Sequence, residues 1–182
     1  FVPTGAQRRA VAEILGDMNS RTPMNRLLQG DVGSGKTFVA SAAILAAADS
    51  GVQSVFMAPT EILAQQHYFN LKRMFEPQGI ETVLLTGGQR GAERRSAAEA
   101  IRNGGAQVVV GTHAVFGDEV RFARLGLVIV DEQHRFGVLQ KNSLIAKASA
   151  PHVLVMTATP IPRTLVLSIY GDLEVSLLDE LP

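Results

Sequence analysis

Gly30, Asp31, Val32, Gly33, Ser34, Gly35, Lys36 and Thr37 follow the order glycine, four residues, then Gly-Lys-Thr. That spacing serves phosphate chemistry. The three glycines let the backbone turn its N–H groups inward and approach phosphate oxygens closely, since no side chain stands in the way. Lys36 supplies a mobile positive charge for the terminal phosphates, and the Thr37 hydroxyl suits a magnesium ion bridging them. The expected ligand is ATP with Mg2+.

Two carboxylates, Asp131 and Glu132, follow the apolar run 125–130. Beside a phosphate loop they divide the work of hydrolysis: Asp131 takes the magnesium held by Thr37, and Glu132 orients and polarises the attacking water. The plainer alternative for such acids is a loop start or a helix cap. Thr157-Ala158-Thr159-Pro160 follows another apolar run. Threonines before a proline usually mark a turn, but hydroxyls beside a nucleotide can sense whether its terminal phosphate is present, which makes Thr157 and Thr159 a coupling element. Pro59-Thr60-Glu61, Thr86-Gly87-Gly88 and Gly111-Thr112-His113 end three further runs. Each is expected near a helix start, where hydroxyls and backbone N–H groups either cap the helix or grip the phosphates of a nucleic-acid strand without reading its sequence. His67, His113, His134 and His152 lack metal-ligand spacing and read as hydrogen-bonding histidines.

These groups need rigid elements to hold them. Residues 26–29 read as a short buried strand and 37–48 as an Ala-rich helix, which puts the glycine loop at a strand-to-helix turn. Apolar positions at Ala10, Val11, Ile14, Leu15 and Met18 give a helix over 7–18, preceded by a turn at Pro3-Thr4-Gly5. Strands are expected at 52–58, 82–85, 107–110, 125–130, 153–156 and 175–178, and helices at 61–75, 91–102, 138–147 and 161–170. Val108-Val109-Val110 and Leu127-Val128-Ile129-Val130 are apolar without alternation, as strands covered on both faces are. The alternation of strand and helix predicts an α/β fold of three layers with a mostly parallel central sheet. Ligands of such sheets gather at the carboxyl ends of the strands, where the candidate residues stand.

At 182 residues and 46% hydrophobic content, one domain with a sizeable core is expected. With 17 basic and 17 acidic residues, no global charge draws nucleic acid, so any such contact must be local. The absence of cysteine excludes thiol redox chemistry and a disulfide scaffold, and fits an intracellular setting. No apolar run approaches the roughly 20 residues of a membrane span, and Phe1-Val2-Pro3 does not resemble a signal peptide, so a soluble protein without a membrane partner is expected. The missing initiator Met and the ending Glu180-Leu181-Pro182 suggest a piece of a longer chain.

Five stretches then fall in helicase order: the glycine loop, Ala-Pro-Thr-Glu-Ile-Leu-Ala-Gln-Gln-His at 58–67, Gly-Thr-His-Ala at 111–114, Asp-Glu-Gln-His-Arg-Phe-Gly at 131–137 and Met-Thr-Ala-Thr-Pro-Ile-Pro-Arg-Thr at 156–164. Together they resemble the RecG family of bacterial branched-DNA helicases, within superfamily two. The resemblance covers essentially the whole chain and implies a P-loop NTPase domain of RecA-like fold, the first of two motor domains. The transcription-repair coupling translocases share several of these stretches but usually carry Asp-Glu-Glu-His, so Gln133 favours the RecG family, as do Glu61 and the ending at 178–182. The resemblance implies that Gln7 contacts adenine, although Pro3-Thr4-Gly5 departs from the usual Leu-Thr pair before it. By the same resemblance His134, Thr157 and Thr159 couple nucleotide state to DNA, and Pro59, Thr60, Thr86, Gly87 and Thr112 lie along the DNA track. It further implies branched or forked DNA and a second RecA-like domain as partners, a bacterial cytoplasmic, nucleoid-associated location, and a monomeric fragment nearly inactive alone.

Two other classes use the same loop. A binding module switched by ATP would hydrolyse nothing, which measurable DNA-stimulated turnover would exclude. A P-loop enzyme acting on small molecules would need a substrate lid, which the sequence does not display.

Overall fold

The computed structural model describes residues 2–131, 148–160 and 173–182. The helices expected at 138–147 and 161–170 lie outside them, as do Glu132, Gln133, His134 and Arg163. The chain runs α1 (Gly5–Met18), β1 (Asn25–Gly30), α2 (Lys36–Asp49), β2 (Gln53–Met57), α3 (Glu61–Phe75), β3 (Thr82–Leu85), α4 (Ala92–Arg102), β4 (Val108–Gly111), β5 (Leu125–Asp131), β6 (His152–Thr157) and β7 (Glu174–Leu178). Short 3-10 turns occupy Glu76–Gln78 and His113–Phe116.

Seven strands form one sheet in the order β3-β4-β2-β5-β6-β1-β7. Every described pairing is parallel, so the sheet is parallel throughout rather than mostly so. Successive strand residues point to opposite faces, and each strand here is apolar on both. Leu28, Phe56, Val110, Ile129 and Leu154 feed one core with α1, α2 and α3. Leu27, Val55, Val109, Val128 and Val155 feed the other with α4 and the segment around Val115. The result is the expected three layers.

Local sequence explains the elements nearest the site. Thr4 caps α1 by accepting the Gln7 N–H, and Gln7 Oε1 accepts the Thr4 N–H in return, a reciprocal box that fixes where the helix starts. Buried Val39, Ala40, Ala43, Ile44 and Ala47 let α2 pack closely on the sheet. In β1, Arg26 is buried beside Leu27 and Leu28, a costly position for a charge unless paired. Its guanidinium donates to Asp17 at 2.8 Å, Ser176 Oγ at 2.9 Å and Glu13 at 3.3 Å, tying β1 to α1 and β7.

Candidate functional site

The glycine loop joins β1 to α2, as its spacing predicts. Gly33 and Gly35 sit at φ +85° and +86°, the left-handed region that disfavours side chains. At Gly30 a Cβ would stand 2.6 Å from Ser34 Oγ and 2.7 Å from Leu178 Cβ. The loop is therefore closed to side chains from within. Ser34 Oγ is buried without a protein partner among the described residues, a polar atom facing a polar need. Helix α2 starts from Gly35 with no side-chain cap and no acid in its first turn, which leaves its positive end available to an anion. The Lys36 ammonium donates to the carbonyls of Gly30 at 2.6 Å and Asp31 at 2.9 Å, so its charge already rests on the loop. Val32, at the tip, is 86% exposed.

Buried Gln7 reaches the loop from α1, donating from Nε2 to the Ser34 carbonyl at 2.9 Å. Across the sheet, Gln29 pairs in register with Thr157 and Met156 with Asp131, so Gly30, Thr157 and Asp131 end three adjacent strands, β1, β6 and β5. Thr157 Oγ1 accepts the Thr159 N–H at 3.1 Å and lies 3.0 Å from Thr159 Oγ1. The two hydroxyls thus form one turn. A cleft of about 210 Å³ between Gly30, Asp31, Ala158, Pro160 and Leu178 joins that turn to the loop. A further groove, of about 650 Å³, lies elsewhere, along β3 and α4 between Thr82 and Ala97.

Asp131 is nearly buried, and its Oδ2 lies 2.9 Å from His67 Nε2. His67 is a hydrogen-bonding histidine as expected, but its place beside Asp131 in the site is what sequence reasoning missed. The signal was available, since His67 falls on the buried stripe Ala64, Leu71 and Phe75 of α3, where a polar side chain needs a partner. No group of three His, Cys, Asp or Glu side chains among the described residues could form a protein-only metal cage. One hydroxyl and one carboxylate with phosphate oxygens make instead a hard-donor set, and that suits magnesium.

The ends of β2, β4 and β3 form the other half of the same edge. Thr60 accepts the Leu63 N–H at 3.2 Å and caps α3, as the plainer alternative had it. Thr112 precedes only a four-residue 3-10 turn, makes no side-chain cap bond, and buries Oγ1 without a described partner. Thr86-Gly87-Gly88 departs further from expectation: the cap of α4 is Gly91, and the Thr86 N–H is taken by Gln89 Oε1 at 3.0 Å. Glu61 Oε1 accepts the Gly88 N–H at 2.8 Å, because α3 brings its first residue against that loop. Pro59 leads into the Thr60 cap.

A parallel three-layer sheet with a phosphate loop after one central strand and an acid at the end of another defines a RecA-like P-loop domain. Residues 4–167 match the model of the DEAD/DEAH box helicase family, and the chain belongs to that family. Over its whole length it is 57% identical to the ATP-dependent DNA helicase RecG of Synechocystis sp. and 55% identical to that of Escherichia coli K12, covering 22% and 27% of those proteins. The chain spans about a quarter of the length of such relatives. A solved structure of RecG bound to a three-way DNA junction superposes on all of the chain and 24% of its own, with 48% identity and a TM-score of 0.86. The DEAD-box helicase Mss116 bound to ssRNA shares the fold at 20% identity, over 98% of this chain and 40% of its own, with a TM-score of 0.74. No described helix is long and apolar enough to cross a membrane.

Proposed function

We propose that the chain is the first, ATP-binding motor domain of a RecG-type helicase that uses ATP to remodel branched DNA, such as stalled forks and Holliday junctions, in recombination and repair. The observation that carries this reading is the match over the whole chain to a RecG structure holding a three-way junction. Backbone groups of Gly30, Asp31, Val32, Gly33, Ser34 and Gly35 cradle the phosphates, and Lys36 turns its ammonium from the loop carbonyls to the terminal phosphate. Thr37 and Asp131 would hold magnesium, which adds positive charge against the developing phosphate charge. Glu132 accepts the proton of the attacking water, and Gln7 borders the adenine. Thr157, Thr159 and His134 link phosphate occupancy to DNA held along Pro59, Thr60, Thr86, Gly87 and Thr112. The second motor domain and the domain gripping branched DNA belong to the remainder of the protein, which acts in the bacterial cytoplasm at the nucleoid.

Half a motor lacks the arginine finger of its partner, a group that contributes about 10³ to 10⁵ in rate. Chain 1–182 alone is expected to show at most feeble ATPase and no unwinding. The test assays the full-length protein and this chain on a four-way junction, a fork and a linear duplex with magnesium and ATP, with Lys36→Ala as control. Unwinding of the branched substrates by the full-length protein, lost in Lys36→Ala, is the result expected. Equal or absent activity on all three substrates, or unwinding by chain 1–182 itself that Lys36→Ala abolishes, would overturn the reading.

A further inference from the structure

The carboxyl edge of the sheet is divided between β2 and β5. The nucleotide, metal and coupling candidates occupy the ends of β1, β5 and β6, and nucleic-acid candidates the ends of β2, β4 and β3. The contact between His67 and Asp131 crosses that division. We infer that His67 is a positioning residue that fixes the magnesium-holding carboxylate of Asp131, and that through it α3 links the DNA half of the edge to the nucleotide half. This rests on the function proposed above.

His67 stands where α3 should be apolar. Ala64, Leu71 and Phe75, three residues before it and four and eight after, are wholly buried. An imidazole on that stripe needs a hydrogen bond, and Asp131 Oδ2 supplies it at 2.9 Å, with both side chains less than 15% exposed. An ionised carboxylate can only accept, so Nε2 donates. The ring is held from the sheet side by Phe56, centroids 4.5 Å apart and planes tilted by 43°. Odd-numbered Leu127 and Ile129 face the same core as α3, and Asp131 continues that face to the strand end. One carboxylate oxygen is thereby fixed by the protein, and Oδ1 has no partner among the described residues. Such outer-sphere bonds set the direction of a metal-holding group, and their loss typically lowers metal affinity about 10- to 100-fold.

The same helix reaches the DNA half. Thr60 caps α3 at the end of β2, and His67 follows seven residues later, roughly 10 Å along the helix axis. Glu61 in the first turn is bonded to the loop after β3. A shift of the α3 N-terminus on binding a DNA strand therefore moves His67 as part of one rigid element, and Asp131 with it.

The test titrates a fluorescent ADP into the full-length protein, with magnesium and with EDTA, for the parent, His67→Ala, His67→Phe, His67→Gln and Lys36→Ala. His67→Phe keeps a ring on Phe56 without a donor, whereas His67→Gln keeps a donor, so the comparison survives if His67→Ala does not fold. Expected is a loss of about tenfold or more in the magnesium-dependent part of the affinity for His67→Phe, with the EDTA value unchanged and most of the loss restored in His67→Gln. A saturating three-way junction should alter magnesium-ADP affinity in the parent and in His67→Gln, with that factor shrinking toward one in His67→Phe. Parental magnesium dependence in His67→Phe, equal losses in His67→Phe and His67→Gln, or a junction effect untouched by either would overturn the inference. If Lys36→Ala bound nucleotide like the parent, the proposed function itself would fall instead.

Discussion

The Gln7 carboxamide accepts the Thr4 N–H at 3.0 Å and donates to the Ser34 carbonyl at 2.9 Å, so one side chain both starts α1 and braces the phosphate loop. Gln7→Ala is expected to leave the buried Ser34 carbonyl unpaired at a cost of about 1–3 kcal/mol. Urea unfolding without nucleotide measures it as a lower midpoint at unchanged slope. A parental midpoint would mean that Gln7 serves the ligand alone.

Gly33 and Gly35 share nearly the same positive φ but differ in surroundings. A Cβ at Gly33 meets nothing within 4 Å, whereas one at Gly35 would lie 2.3 Å from Gln7 Nε2. Gln7 is fully buried and bonded at both ends, so it cannot swing aside. Gly33→Ala should cost about 1–2 kcal/mol through φ alone, and Gly35→Ala distinctly more, measured by thermal unfolding of both variants. Equal costs would place the whole penalty in the backbone.

Lys36→Ala should separate binding from folding. Among the described residues the ammonium bonds only to carbonyls at the loop mouth, so stability should stay within about 1 kcal/mol of the parent. Charge-assisted bonds contribute about 1.5–3 kcal/mol each, so magnesium-ATP affinity should fall roughly 10- to 150-fold or more. Calorimetry on the folded variant decides it, and unaltered affinity would remove Lys36 from the phosphate site.

His152 makes stability depend on pH. Its Nδ1 accepts the Met24 N–H at 2.9 Å, which requires that nitrogen to be unprotonated. Burial lowers its pKa below the usual 6.5, with Asp17 opposing in part. The unfolded chain therefore gains a proton first as pH falls, and stability is lost from about pH 6.5 downward through the lowered folded pKa. His152→Asn, whose Oδ1 can accept the same N–H, should flatten that slope between pH 6.5 and 5 in urea titrations. An unchanged slope would assign the dependence to other groups.

Local signals made much of this molecule legible. The spans at 61–75 and 82–85 coincide with α3 and β3, because apolar period and turn residues agree there. The loop and Asp131 were readable because a strand end is a place periodicity can mark. Strand order was not, since β1 lies between β6 and β7 through contacts more than a hundred residues away in sequence. The roles of Arg26 in β1 and His67 in α3 escaped for a related reason: each looks out of place until a distant partner, Ser176 for Arg26 and Asp131 for His67, is brought in. Thr86 misled because a loop of four residues separates it from the true cap, Gly91.

The position of β1 also orders events during synthesis. Its sheet neighbours begin at His152 and Glu174, so the phosphate loop leaves the ribosome long before any strand that can flank it exists. Only α1 and α2 are then at hand, while β2, β3, β4 and β5 can assemble among themselves as they emerge. Closing β1 between late strands is a long-range step of the kind that slows folding. A nascent chain should accordingly acquire nucleotide affinity abruptly, near the end of translation of this domain, rather than when residues 30–37 appear.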